Sequence, residues 1–249
     1  MNVLSVSYGN DSIAMIRWAH EQGLSGTCCY IDTGWAGIGW MDRVRAGEGI
    51  ASVYGFDVVR ITPDVQFREL MEIKKGFPQQ RYQWCSAMLK GIPFLNWLDE
   101  QDPDYETVVL VGKRRVESKE RADTPEFVED SEYHGGRKLW HPLFKHTDAD
   151  RDVLIKRAGL TPLPHRSLEC DPCVNANRGD FRRLHDDDIE KTEALEAVVG
   201  KTMFRPKRHN GARGIKQVIE WAKYSQGQFD PDQDDLFSEG CGSPFGCGL

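Results

Sequence analysis

Three groups of residues have types and spacing that could do chemistry. The first is Ser7-Tyr8-Gly9-Asn10-Asp11-Ser12, which lies between the apolar run Val3 to Ser7 and a helical periodicity starting at Ser12. A glycine among small residues at a helix N-terminus leaves backbone N–H groups facing outward. With the positive end of the helix dipole they favour an anionic group, and Gly9 lets the backbone approach a phosphate closely. A plain helix cap by Asp11 and Ser12 is the competing reading. The second group, Lys113, Arg114, Arg115, Lys119 and Arg121, follows a predicted strand end. Arginine forks match phosphate oxygens; the alternative is a solvated loop paired with Glu117, Glu120 and Asp123. The third group is sulfur. Cys170-Asp171-Pro172-Cys173 has the spacing of a metal or iron–sulfur clip, with Cys85 as a distant third ligand, and zinc or a redox dithiol as alternatives. Cys241 and Cys247, in a Gly-rich tail, read as exposed nucleophiles able to carry a persulfide once arginines stabilise the thiolate. Two idle thiols at an irregular terminus is the plain alternative.

These groups need elements to position them. Val3 to Ser7, Thr27 to Ile31, Asp57 to Ile61 and Thr107 to Val111 read as buried strands, with helical patterns between them. Alternation of this kind predicts βαβ units: an α/β fold with an open, mostly parallel sheet and helices on both faces. Ligands of such sheets bind outside the carboxyl ends of the strands, so Ser7 to Ser12, Asp32 to Gly34 and Gly112 to Arg115 are expected to converge there. Lys113 to Asp130 reads as a charged, mobile loop. Asp148 to Ala158, Ile189 to Val199 and Gly214 to Tyr224 read as helices, and the chain from Gln226 onward as irregular. The expected organisation is a nucleotide-binding part, residues 1–165, with residues 166–249 as a helical and irregular part packed on the same domain. Cys28 and Cys29 read as core. His134, His141, His146, His165 and His185 have no metal-ligand spacing, and Trp35 and Trp40 are candidates to lie against a base.

Composition narrows the class. With 249 residues, 39% apolar and 29% charged, the chain is of ordinary globular type, and 32 basic against 39 acidic residues give a net charge of −7. That balance argues against a wholly basic nucleic-acid binder while permitting a local basic patch. No apolar run approaches the ~20 residues needed to span a bilayer. Seven cysteines without a secretory signal point to a reducing, cytoplasmic setting.

The loop lacks the Walker A pattern, and the first βα turn lacks Gly-x-Gly-x-x-Gly. It resembles the Ser-x-Gly-x-Asp-Ser signature of the PP-loop ATP pyrophosphatases, with Tyr8 replacing the usual small residue. Further segments resemble the phosphoadenylyl-sulfate reductase branch of that superfamily. These are Asp32-Thr33-Gly34, Trp84-Cys85-Ser86-Ala87-Met88-Leu89-Lys90, Gly112-Lys113-Arg114-Arg115-Val116-Glu117-Ser118-Lys119-Glu120-Arg121, Pro142-Leu143, Asp152-Val153 and Cys170-Asp171-Pro172-Cys173, in the branch's order. The terminal Cys247-Gly248-Leu249 resembles the tail carrying the reductases' catalytic cysteine. The resemblance implies ATP with Mg²⁺ as cofactor, bound by Ser7, Tyr8, Gly9, Asn10, Asp11, Ser12, Asp32, Thr33, Gly112 and Arg121. It implies Asp11, Ser12, Arg114, Arg115, Cys241 and Cys247 in catalysis. For metal it implies a [4Fe-4S] cluster, or Zn²⁺, on Cys85, Cys170 and Cys173, with Trp84 standing where the branch has a further cysteine.

Three functions are open on this basis. The first is an ATP pyrophosphatase that adenylates an acceptor for sulfur transfer. Its best match within the branch is the sulfurtransferases of DNA backbone phosphorothioation, with DNA as acceptor and a cysteine desulfurase as sulfur donor. A second basic set, Arg178, Arg182, Arg183, Arg205, Lys207, Arg208 and Arg213, could meet a nucleic-acid backbone, or merely balance Asp186, Asp187 and Asp188 on a helix surface. The second function is a phosphoadenylyl- or adenylyl-sulfate reductase using Cys247. The intact Asp11-Ser12 weighs against it, because the reductases usually alter that portion of the loop. The third is a non-catalytic nucleotide-binding regulator. A homodimer is expected on family grounds alone.

Overall fold

The computed structural model describes residues 1–79, 82–204 and 211–223. Cys241, Cys247, Arg205, Lys207 and Arg208 therefore lie outside the described residues. The chain runs β1 (Asn2–Ser5), α1 (Asn10–Glu21), β2 (Thr27–Ile31), α2 (Trp40–Val53), β3 (Asp57–Ile61) and α3 (Phe67–Lys74). A short α4 (Trp84–Ser86) passes through a π-helical turn (Ala87–Gly91) into α5 (Ile92–Gln101), followed by β4 (Val108–Val111), β5 (Phe127–Ser131) and β6 (Arg137–Trp140). Helices α6 (Asp148–Arg157), α7 (Arg178–Arg183), α8 (Asp186–Val199) and α9 (Gly214–Lys223) complete it.

Among the described residues the strands form one six-stranded sheet in the order β3-β2-β1-β4-β6-β5. All pairings are parallel except β5 with β6. Strand residues alternate between faces. Leu4, Cys28, Tyr30 and Leu110 pack with residues of α1, α2 and α6. Val3, Cys29, Ile31, Val109 and Val111 pack on the opposite face with Phe94 and Leu98 of α5. Helices thus cover both faces, and Cys28 and Cys29 are core residues, as expected. A third cluster joins Phe67, Leu70 and Met71 of α3 and Leu89 of the π turn to Phe181, Leu195 and Val218 of α7, α8 and α9. No helix among the described residues is long and apolar enough to cross a membrane.

The expected mobile loop over Lys113 to Asp130 needs correction. It contains two 3-10 turns, Arg115–Glu117 and Lys119–Arg121, and then most of β5. Arg114 and Arg121 are buried within it. Strand β6 went unpredicted because its fully buried member is Arg137, whose guanidinium pairs with Asp102 and Asp99. Trp35 and Trp40 are buried rather than presented to a ligand. Trp35 stacks on Phe67 at 4.7 Å and donates its indole N–H to the Pro172 carbonyl, while Trp40 joins the core under α2.

Candidate active site

The strand order reverses between β1 and β4, and the crevice outside their carboxyl ends is where an open α/β sheet takes its ligand. The Ser7–Ser12 loop leaves β1 there, and Gly112 leaves β4. The two backbones approach so closely that a β-carbon at Gly112 would stand 3.0 Å from the Asp11 carbonyl oxygen. Only glycine fits without displacing that backbone.

The loop's own bonds show whether Asp11 and Ser12 act as a plain cap. The N-cap of α1 is Gly9, which has no side chain to cap with. Ser12 Oγ instead accepts from the Ser7 N–H at 2.9 Å and lies 3.2 Å from Ser7 Oγ. Asp11 reaches across to β4, where Arg114 Nε donates to its Oδ1 at 2.5 Å. Neither expected capping residue caps the helix. The first-turn amides of α1 therefore lack a side-chain acceptor and remain suited to an anion.

Asp11 and Arg114 form a buried pair, and Arg114 also meets Asp148 at the start of α6 at 3.0 Å. Burial, and then the Glu117 carboxylate, push the Asp11 carboxyl up to about 7 against the pull of Arg114. Burial opposes the charge on Arg114, but Asp11, Glu117 and Asp148 outweigh it and raise its pKa. The pair borders a cleft of about 440 Å³, within the size range of small-molecule sites. One wall carries Asn10, Asp11, Arg114 and Arg151; the other carries His165, Arg166, Asp180 and Arg183. Asn10 ties the walls together, its amide donating to the Leu163 carbonyl and accepting from the Leu163 N–H, both at 2.9 Å.

Other predicted residues are placed differently. The Tyr8 ring is buried in the core against Tyr30, so only its backbone belongs to the loop. Arg115 does not line the cleft: its Nε donates to the Thr124 carbonyl at 2.8 Å, and its guanidinium lies over Phe144. Arg121 pairs with Glu117, which itself reaches the cleft, so Arg121 stands one residue behind it. Asp32 accepts from the Gly34 N–H at 3.0 Å, closing its own turn. Within the second basic set, Arg178 and Arg182 donate to the Trp221 and Ala222 carbonyls at the end of α9. These two bonds hold the end of α9, while Arg182 and Arg183 remain exposed. Spacing alone did not single out Arg151 and Arg166, because their cleft is assembled from segments far apart in the chain.

Cys85, Cys170 and Cys173 do line one cavity, with Thr33, Lys90 and Glu169. At about 40 Å³ it has room for a few waters. Cys170 Sγ lies 3.3 Å from Thr33 Oγ1, and burial pushes its thiol up to about 12 despite Lys90. Lys90, turned inward by the π-helical segment, is itself paired with Glu169 at 2.5 Å. Among the described residues no three His, Cys, Asp or Glu side chains converge to hold a metal ion. The expected ligands are gathered but do not form a coordinating set among the described residues.

Comparison with known proteins adds an independent line. The chain is 25% identical over 282 residues to the "uncharacterized 37.8 kDa protein in gpa 5'region" of Escherichia phage 186, covering 88% of this chain and 83% of that one. Among solved structures, it is similar to a phosphoadenylyl-sulfate (PAPS) reductase from Candida auris in a phosphate complex. That match has 15% identity and a TM-score of 0.47, covering 65% of this chain and 74% of the other. It is also similar to NMN synthetase from Francisella tularensis, at 13% identity and a TM-score of 0.48, covering 93% and 89%. Residues 1–166, which hold the loop, the β4 turn and helix α6, match the family model described as the phosphoadenosine phosphosulfate reductase domain. By that match over most of its length, the chain belongs to the phosphoadenosine phosphosulfate reductase domain family.

Proposed function

We propose that this member of the family is an ATP pyrophosphatase that adenylates an acceptor for sulfur transfer, most specifically in DNA backbone phosphorothioation. The observation that carries the reading is the loop itself: Asp11 and Ser12 are both present, neither serves as a cap, and the uncapped amides of α1 open on a cleft bordered by Arg114. An acceptor oxygen would attack the α-phosphorus of ATP, breaking the bond to the bridging oxygen. Pyrophosphate would leave with that electron pair, its charge taken up by the loop amides and arginine. The terminal sulfur of a persulfide would then attack the adenylated centre and displace AMP. The thiolate of the other tail cysteine would cleave the resulting S–S bond, releasing the thio product and leaving a Cys241–Cys247 disulfide for an external dithiol to reduce. Mg²⁺ would arrive with the triphosphate. The sulfur would come from a cysteine desulfurase, carried as a persulfide on Cys241 or Cys247. Cys85, Cys170 and Cys173 are where a cluster or zinc would be held if further ligands joined them.

A reductase reading is favoured by the family description itself. There a thiol of Cys247 would attack the sulfate sulfur, with electrons from a thioredoxin-type donor. One pair of assays separates the two: pyrophosphate release from ATP, and sulfite release from adenylyl sulfates. Pyrophosphate without sulfite is expected; sulfite without ATP cleavage would overturn the proposal.

A further inference from the structure

Helix α2 grips the phosphate loop from behind at two positions one turn apart, which lie on one face. Arg43 Nε donates to the Tyr8 carbonyl at 3.2 Å. Gly47 makes room for the Tyr8 ring, since a β-carbon there would stand 2.2 Å from Tyr8 Cδ1. Tyr8 has a φ of 60°, a left-handed conformation that a non-glycine residue holds only when its surroundings impose it. A trans peptide points its C=O and N–H to opposite sides. Drawing the Tyr8 oxygen toward Arg43 therefore turns the Gly9 N–H the other way, where Ser7 Oγ accepts it at 3.3 Å.

Among the described residues Arg43 has no carboxylate partner, and its Nη2 is buried without a hydrogen bond. Burial accordingly pulls its pKa down, with no acid acting against it. Arg114 is by contrast flanked by Asp11 and Asp148. A half-buried cation with no counter-charge weakens a fold. Local rules of this kind are broken mainly where function uses the exception. We propose that Arg43 is a positioning residue for the nucleotide phosphates: it fixes the Tyr8–Gly9 peptide and holds beneath the loop a positive charge that the incoming anion neutralises. The inference rests on the nucleotide reading above and adds to it a residue outside the matched motifs.

The test measures equilibrium binding of ATP, inorganic pyrophosphate and adenosine to the full chain, alongside thermal melting. Arg43→Met should weaken ATP and pyrophosphate binding by about tenfold or more, the scale of one charge-assisted hydrogen bond. Adenosine binding should be unchanged, and the melting temperature unchanged or raised, because a half-buried charge without a counter-ion has been removed. Arg43→Lys keeps the charge without the planar fork and should recover part of the loss. It also carries the test if the methionine variant does not fold. Unaltered pyrophosphate affinity in Arg43→Met, or an equal loss for adenosine with a fall in melting temperature, would overturn the proposal. A wild-type chain that binds neither ATP nor pyrophosphate would overturn the nucleotide reading, and this proposal with it.

Discussion

Replacing Arg114 by methionine should destabilise the protein in a strongly pH-dependent way. Arg114 and Asp11 are 2% and 5% exposed, with 2.5 Å between Nε and Oδ1. Methionine fills much of the volume but leaves the carboxylate buried beside Glu117 without its nearest cation. Breaking one side of such a pair costs about 3–5 kcal/mol. Asp11 already titrates at about 7 rather than its ordinary 3.8, and without Arg114 it would titrate higher. A carboxyl whose folded value exceeds its unfolded one weakens the fold as pH rises between the two. The deficit should therefore grow by about 1.4 kcal/mol per pH unit from about pH 7 up to the variant's own value, and so be larger at pH 8 than at pH 5. Near pH 5 the folded carboxyl is protonated, and the deficit should shrink to about 1–2 kcal/mol of lost hydrogen bonding. Urea unfolding at both pH values measures this directly. Asp11→Asn in the Arg114→Met background should recover most of the loss at pH 8. A deficit equal at both pH values, or one that deepens in the double variant, would refute the reasoning.

Three further outcomes follow from particular contacts. Gly112→Ala would push against the Asp11 backbone, so it should lower stability by about 1–3 kcal/mol in thermal melts and weaken nucleotide binding in parallel. Asn10→Ala removes both hydrogen bonds to Leu163 and should cost about 2 kcal/mol by urea unfolding, with Asn10→Asp intermediate. The Cys170 thiol, held near 12 by burial, should resist iodoacetamide at pH 8 in the folded chain and react on unfolding; mass spectrometry of that cysteine at matched times checks this.

The parallel half of the fold was legible because β1 to β4 are short apolar runs separated by helical periodicities, a local signal. Strand β6 was hidden because Arg137 sits where an apolar residue would mark the core, made tolerable by Asp99 and Asp102 from a different element. The loop after β1 was legible as a helix-opening turn from its glycine and its place in the chain. Its surroundings were not: Asp11 meets Arg114 across 103 positions, and Asn10 meets Leu163 across 153. Spacing rules carry no information about partners so distant. The same limit explains Arg115, which sits beside Arg114 in the chain but is turned toward Phe144, and Arg43, whose role depends on which peptide α2 happens to lie behind.

The central claim is that the loop after β1 holds the phosphates of an adenine nucleotide. A crystal structure of the full chain with an ATP analogue whose α–β bridge cannot be cleaved tests it most directly. The account predicts phosphate oxygens hydrogen-bonded to the amides between Gly9 and Ser12, with Arg114 alongside. A nucleotide seated elsewhere, or one whose phosphates point away from Gly9, would contradict it.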